Sequence, residues 1–151
     1  MNTMNAEPHG AQDDWICFNL YLGWRLIQRY YRDHFPEGMN PQRSYALHVL
    51  EHRGALSLRE LSAELELQRS AASQLVTRME ATGLVVKNES PDSGREILIG
   101  LTRAGRRELQ RTHSRLREAD VRLYGEVDVD VLAGLKDLVA TLRELTPTHL
   151  N

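Results

Sequence analysis

The apolar positions change period along the chain, and the changes mark the elements. Between about residues 13 and 35, Trp15, Ile16, Phe18, Leu20, Tyr21, Trp24, Leu26, Ile27, Tyr30, Tyr31 and Phe35 cover more than one face of a helix. A helix that is apolar nearly all round needs partners on several sides, from its own domain or from a second subunit. Asn40-Pro41 predicts the next helix start, an N-cap side chain followed by proline at the first helical position, and Gly54 its end. Ser57-Leu58-Arg59-Glu60 reads as a capping box opening a short helix whose buried stripe is Leu58, Leu61 and Leu65. After a break at 66–68, a third helix runs to about Thr82, with Gly83 closing it. Its apolar side is Ala72, Leu75, Val76 and Met79; its other side is Arg69, Ser70, Ser73, Gln74 and Thr77, small and polar.

The period then shortens. Leu84-Val85-Val86 and Ile97-Leu98-Ile99 are β-rich runs around the turn-forming cluster Ser90-Pro91-Asp92-Ser93-Gly94, which predicts a hairpin with a longer loop. Thr102 is placed to cap a long polar helix to about Tyr124, and Asp128 a last one to about Leu145. In that last helix Val131, Leu135, Leu138, Leu142 and Leu145 recur at heptad-like spacing. So short a seam is no free coiled coil and must pack on other helices. Residues 1–12 are polar and aperiodic, a tail; 13–146 form one domain.

Composition narrows the function classes. The 151 residues contain no stretch of about eighteen uninterrupted apolar residues, and the polar start lacks the regions of a signal peptide, which predicts a cytoplasmic protein with no membrane contact. Cys17 is the one cysteine, so no intrachain disulfide forms. The formal net charge of −2 announces no nucleic-acid binder. Its distribution says more: residues 68–107 carry a net +3, while 128–151 are acidic. A basic middle between acidic ends points to a polyanion-facing surface.

Three short helices, a hairpin and long flanking helices predict a mainly α fold with a small β-hairpin wing, a winged helix-turn-helix. Its DNA-binding lobe is expected at about 40–101, flanked by long helical arms at about 13–35 and 103–145. The helix at 68–82 offers hydroxyls, an amide and a guanidinium, groups able to reach base edges and phosphates in a major groove. Arg95 at the hairpin tip is placed to reach an adjacent minor groove. On these residues alone, a winged helix that binds protein or merely dimerises remains open.

Leu61-Ser62-Ala63-Glu64-Leu65, Leu75-Val76-Thr77-Arg78-Met79-Glu80, Gly83-Leu84-Val85, then Arg95 and Leu101-Thr102-Arg103-Ala104-Gly105 closely resemble the MarR family of bacterial transcriptional regulators. The resemblance covers about 13–145. It implies a homodimer on a palindromic operator in double-stranded DNA, held together by the first and last helices, among them Tyr21, Val131, Leu135, Leu138 and Leu142. The two recognition helices would sit one duplex turn apart, about 34–36 Å. Ser70, Ser73 and Gln74 are the expected base readers, Arg69, Thr77 and Arg78 the phosphate or groove-edge contacts, and Arg95 the wing contact. The expected action is repression. One departure is that the family usually has aspartate two residues before the wing arginine, where this chain has Ser93 and places Asp92 one residue earlier.

Trp15-Ile16-Cys17-Phe18-Asn19-Leu20-Tyr21 resembles the start of the family's organic-hydroperoxide-sensing branch, in which this cysteine is the sensor and a tyrosine follows fourteen residues later, as Tyr31 does. Fourteen helical residues span about 21 Å, so Cys17 and Tyr31 of one chain cannot touch, whereas antiparallel first helices would bring Cys17 to the partner subunit's Tyr31. A phenol donating to the thiolate would ready it for oxidation to a sulfenic acid. The branch's second tyrosine is absent, Asn40-Pro41 taking its place, and no second cysteine is there to resolve the sulfenic acid. The other reading makes Cys17 an inert small hydrophobe and the signal a small aromatic or phenolic compound, with Trp24, Tyr45, His48 and His113 as lining. His48 and His52 stand at i, i+4, a spacing that can bind zinc, but no third ligand is evident and no metal or cofactor is expected. A one-cysteine peroxidase is the remote alternative, without a matching motif or a Cys/His pairing.

Overall fold

The computed structural model describes residues 15–146; the predicted tail, 1–12, lies outside them. Contacts divide the chain into two compact units meeting at His34 and Phe35. The first holds one helix, α1 (Ile16–Tyr31), followed by a 3-10 turn at Arg32–His34. The helix ends short of the expected residue 35 because Pro36 disfavours helical backbone at Phe35 and the last turn tightens before it. None of its residues is buried, and Ile16 and Tyr21 are each 63% exposed.

The second unit contains α2 (Pro41–Arg53), β1 (Leu56–Ser57), α3 (Leu58–Glu64), α4 (Arg69–Ala81), β2 (Val85–Glu89), β3 (Ile97–Leu101), α5 (Arg103–Glu126) and α6 (Val131–Leu145). The caps are those read from the residues. The Asn40 side chain accepts from the Arg43 N–H at 3.0 Å, and Gly54 closes α2 at φ 81°. Ser57 and Glu60 satisfy each other's backbone donors, and Thr102 Oγ1 accepts from the Gly105 N–H at 2.9 Å. The core is one cluster in which Leu47 and Leu50 of α2, Leu61 of α3, Leu75, Val76 and Met79 of α4, Val85 and Ile99 of the sheet and Leu109 of α5 meet. α4 buries the predicted side, leaving its polar side free.

Two details differ from expectation. The wing is three-stranded, order β1-β3-β2, all antiparallel: Val85 to Glu89 pair with Leu101 to Ile97, and Leu56 pairs with Ile99 on the other edge of β3. Two residues carry no alternation, so β1 leaves no pattern to read. Asp128 does not cap α6. Its carboxylate accepts from the Asp130 N–H at 3.0 Å in a turn of its own, and the helix starts after Asp130 without a side-chain cap. Near the far end of α6, Arg143 Nε donates to Glu66 at 3.0 Å, in the turn between α3 and α4.

Candidate nucleic-acid interface

The polar side of α4 and the wing form the candidate interface. Arg69, Ser70, Ser73, Gln74, Thr77 and Arg78 are all exposed on α4, as is Arg95 at the hairpin tip. Ser73, Gln74, Thr77 and Arg78 line one shallow open depression. Arg69, Ser73 and Arg95 meet instead in a deeper cleft of about 470 Å³ between α3–α4 and the sheet, with Arg59, Lys87 and Glu96 around the mouth and Leu58, Val76, Ile97 and Ile99 along the wall. Ser70 lies in neither. The two depressions share Ser73, so two of the expected base readers, Ser73 and Gln74, and the wing arginine lie on one continuous surface.

Among the described residues, Arg59, Arg69, Arg78 and Arg95 form no salt bridge, whereas Lys87 Nζ donates to Glu80 at 2.7 Å. Four guanidiniums thus lie outside any salt bridge among the described residues. The Thr77 hydroxyl donates to the Ser73 carbonyl at 2.9 Å, which leaves its lone pairs as acceptors. At the wing tip, Gly94 has φ 59° and its N–H donates to the Ser90 carbonyl. Ser93, standing where the family has aspartate, accepts through Oγ from the Glu96 N–H at 3.3 Å. It therefore braces the backbone on both sides of Arg95 without pairing with the guanidinium. Arg59 and Lys87 are absent from the sequence-based set, since each reads there as an ordinary surface charge.

The sensing residues are distributed over both units. Cys17 is exposed on α1, so its reading as a buried filler needs a partner laid over that helix. Tyr31 packs edge-on against Tyr30 at 5.1 Å between ring centroids and lies 6.4 Å from the His34 ring. Trp24 and Tyr45, 49% and 55% exposed, sit in different units. His48 and His113 do come together, α2 to α5, with ring centroids 5.6 Å apart, and His52 joins them 4.3 Å from His48. Partial burial, then the neighbouring His52 and His113, push the His48 pKa below its ordinary 6.5. His113 is the third imidazole the α2 pair lacks in sequence; among the described residues no three donors are arranged to hold a metal.

A three-helix core with the third helix presented outward and an antiparallel wing beside it defines a winged helix-turn-helix protein. The model of the MarR family matches residues 37–96. The chain is 29% identical over 100 residues to the HTH-type transcriptional regulator MgrA of Staphylococcus aureus, covering 64% of this chain and 67% of that protein. It is 28% identical over 104 residues to the organic hydroperoxide resistance transcriptional regulator of Bacillus subtilis, covering 67% and 69%. The PcaV transcriptional regulator of Streptomyces coelicolor, solved with its natural ligand, superposes with a TM-score of 0.78 at 20% identity over 90% of this chain and 96% of that one. Over these spans the chain is similar to the MarR family of transcriptional regulators. No helix among the described residues is long and apolar enough to cross a membrane.

Proposed function

We propose that this regulator binds a palindromic operator in double-stranded DNA as a cytoplasmic homodimer and represses transcription, with α4 in the major groove and the wing in the adjacent minor groove. The carrying observation is the continuous exposed face of Ser73, Gln74, Thr77 and Arg78 running into the cleft that holds Arg69 and Arg95, with four guanidiniums outside any salt bridge among the described residues. Ser70, Ser73 and Gln74 read bases, and Arg69, Thr77, Arg78 and Arg95 hold phosphates and groove edges. The test is selection of bound duplexes from a random pool. A two-fold symmetric consensus with half-sites one duplex turn apart is expected, and Gln74→Ala should relax one position of each half-site. A pool that stays random through successive rounds would refute sequence-specific binding.

The signal we assign is oxidation of Cys17. The thiolate attacks an organic hydroperoxide, the O–O bond breaks, an alcohol leaves and the cysteine becomes a sulfenic acid. The similarity to a regulator of organic hydroperoxide resistance supports this. Mass spectrometry after one equivalent of cumene hydroperoxide should show the modified Cys17, and a thiol that remains reduced would remove it from sensing. A second reading, release by a small aromatic ligand, draws on the fold shared with a ligand-bound regulator and on the His48–His113 contact between α2 and α5.

A further inference from the structure

A right-handed duplex separates each major groove from the next minor groove by a single sugar–phosphate strand. If α4 occupies one and the wing the other, that strand must pass between them. The space between them here is the cleft of about 470 Å³. Its contents fit a strand. Arg59 comes from the first turn of α3, Arg69 from the start of α4, Lys87 from β2 and Arg95 from the hairpin tip, while the apolar wall of Leu58, Val76, Ile97 and Ile99 offers van der Waals contact to deoxyribose. Glu96 is the one carboxylate in the lining.

One cation there is already occupied. Lys87 Nζ lies 2.7 Å from Oε2 of Glu80, a residue on α4, with the two side chains 37% and 41% exposed. An exposed pair of this kind is weak, so a phosphate brought to the cleft can take the ammonium from it. Exchanging partners leaves Glu80 without its cation, so the carboxylate opposes binding by holding Lys87.

We propose that this cleft seats the sugar–phosphate strand, with Arg59 and Lys87 as phosphate ligands, and that Glu80 competes with phosphate for Lys87 and so holds DNA affinity below what the cation set allows. The assignment rests on the DNA-binding reading above and adds to it two ligands and an internal competitor.

Sequence-independent binding is carried by phosphate contacts, so a short fluorescent duplex of arbitrary sequence is a sufficient probe. Anisotropy titrations of the full chain across a salt series give affinity and the salt slope for wild type, Arg59→Gln, Lys87→Gln, Glu80→Gln, the double variant Glu80→Gln/Lys87→Gln, and Arg122→Gln on α5 as a charge-matched control. Arg59→Gln and Lys87→Gln should weaken binding and flatten the slope by about 0.9 each, the size of one lost phosphate contact. Glu80→Gln should tighten binding about two- to five-fold, the worth of an exposed charge pair, and most of that gain should vanish when Lys87 is also replaced. Thermal unfolding of each variant identifies any loss that is a folding defect. If wild type binds but Arg59→Gln and Lys87→Gln match Arg122→Gln, the strand seat is wrong while the DNA-binding reading stands. If Glu80→Gln tightens binding equally with and without Lys87, the competition is wrong. A wild-type chain that binds no duplex even at low salt overturns both.

Discussion

Gly105 shows how one atom decides a position. It stands in the first turn of α5, where its N–H is taken by the Thr102 hydroxyl oxygen, and that same hydroxyl donates to the Gly83 carbonyl at 2.6 Å. The two bonds pull the start of α5 onto the end of α4 so closely that a Cβ on Gly105 would run into the backbone carbonyl of Leu84. A backbone oxygen cannot swing aside as a side chain can. The Leu101-Thr102-x-x-Gly105 pattern thus has a steric cause as well as a capping one. Alanine is favoured over glycine in a helix by about 1 kcal/mol, yet here the collision should outweigh it. Gly105→Ala is expected to lower stability by about 1–3 kcal/mol, the cost of forcing backbone to shift, read from the urea midpoint at unchanged m-value. A variant at least as stable as wild type would mean the α4–α5 junction is looser than its hydrogen bonds imply.

At the scale of elements, the packing of α2 on α5 carries a titration. His48, His52 and His113 gather where the two helices meet, and burial with two neighbouring imidazoles disfavours the charged form of His48. Its folded pKa lies below the unfolded 6.5, so the unfolded chain takes up the proton first. Stability is therefore retained above about pH 6.5 and declines as pH falls towards the folded pKa. His48→Gln removes this contribution, and its melting temperature should fall less than that of wild type between pH 7.5 and 5.5. Parallel melting curves across that range would show that the cluster has no linkage to folding. Such a cluster is illegible in a sequence, because only the α2 pair has a spacing and His113 joins it through tertiary packing. The helices themselves are legible, since caps such as Asn40-Pro41, Ser57/Glu60 and Thr102 are local chemistry. So is the outward face of α4, because its buried side follows the helical period. β1 is not, for two residues make no pattern, and neither is the strand cleft, whose cations come from α3, α4, β2 and the hairpin tip and converge only in the fold.

The whole molecule presents more apolar surface than a lone domain should. On α1, Ile16 and Tyr21 are exposed, and on α6 Val131, Leu135, Val139 and Leu142 are exposed while Leu138 is half-buried. Neither helix has a buried residue, although each is rich in apolar residues. Exposed apolar surface of this extent marks an interaction site, and a stable interface buries about 1,200–2,000 Å². The homodimer proposed above would cover α6 in each subunit and supply the two recognition helices that the proposed operator needs. The consequence is separable from folding because the lobe core lies in α2 to α5 and the sheet, with no residue of α6. Leu135→Glu/Leu142→Glu should therefore leave unfolding of the lobe cooperative while light scattering reports monomers. Operator affinity should fall by about 100-fold or more, because two linked half-site contacts become one. Binding to an arbitrary duplex should fall far less, since the phosphate contacts within each lobe survive. A double variant that remains dimeric would take α6 out of the interface, and one that is monomeric yet keeps full operator affinity would show that a single lobe suffices for recognition.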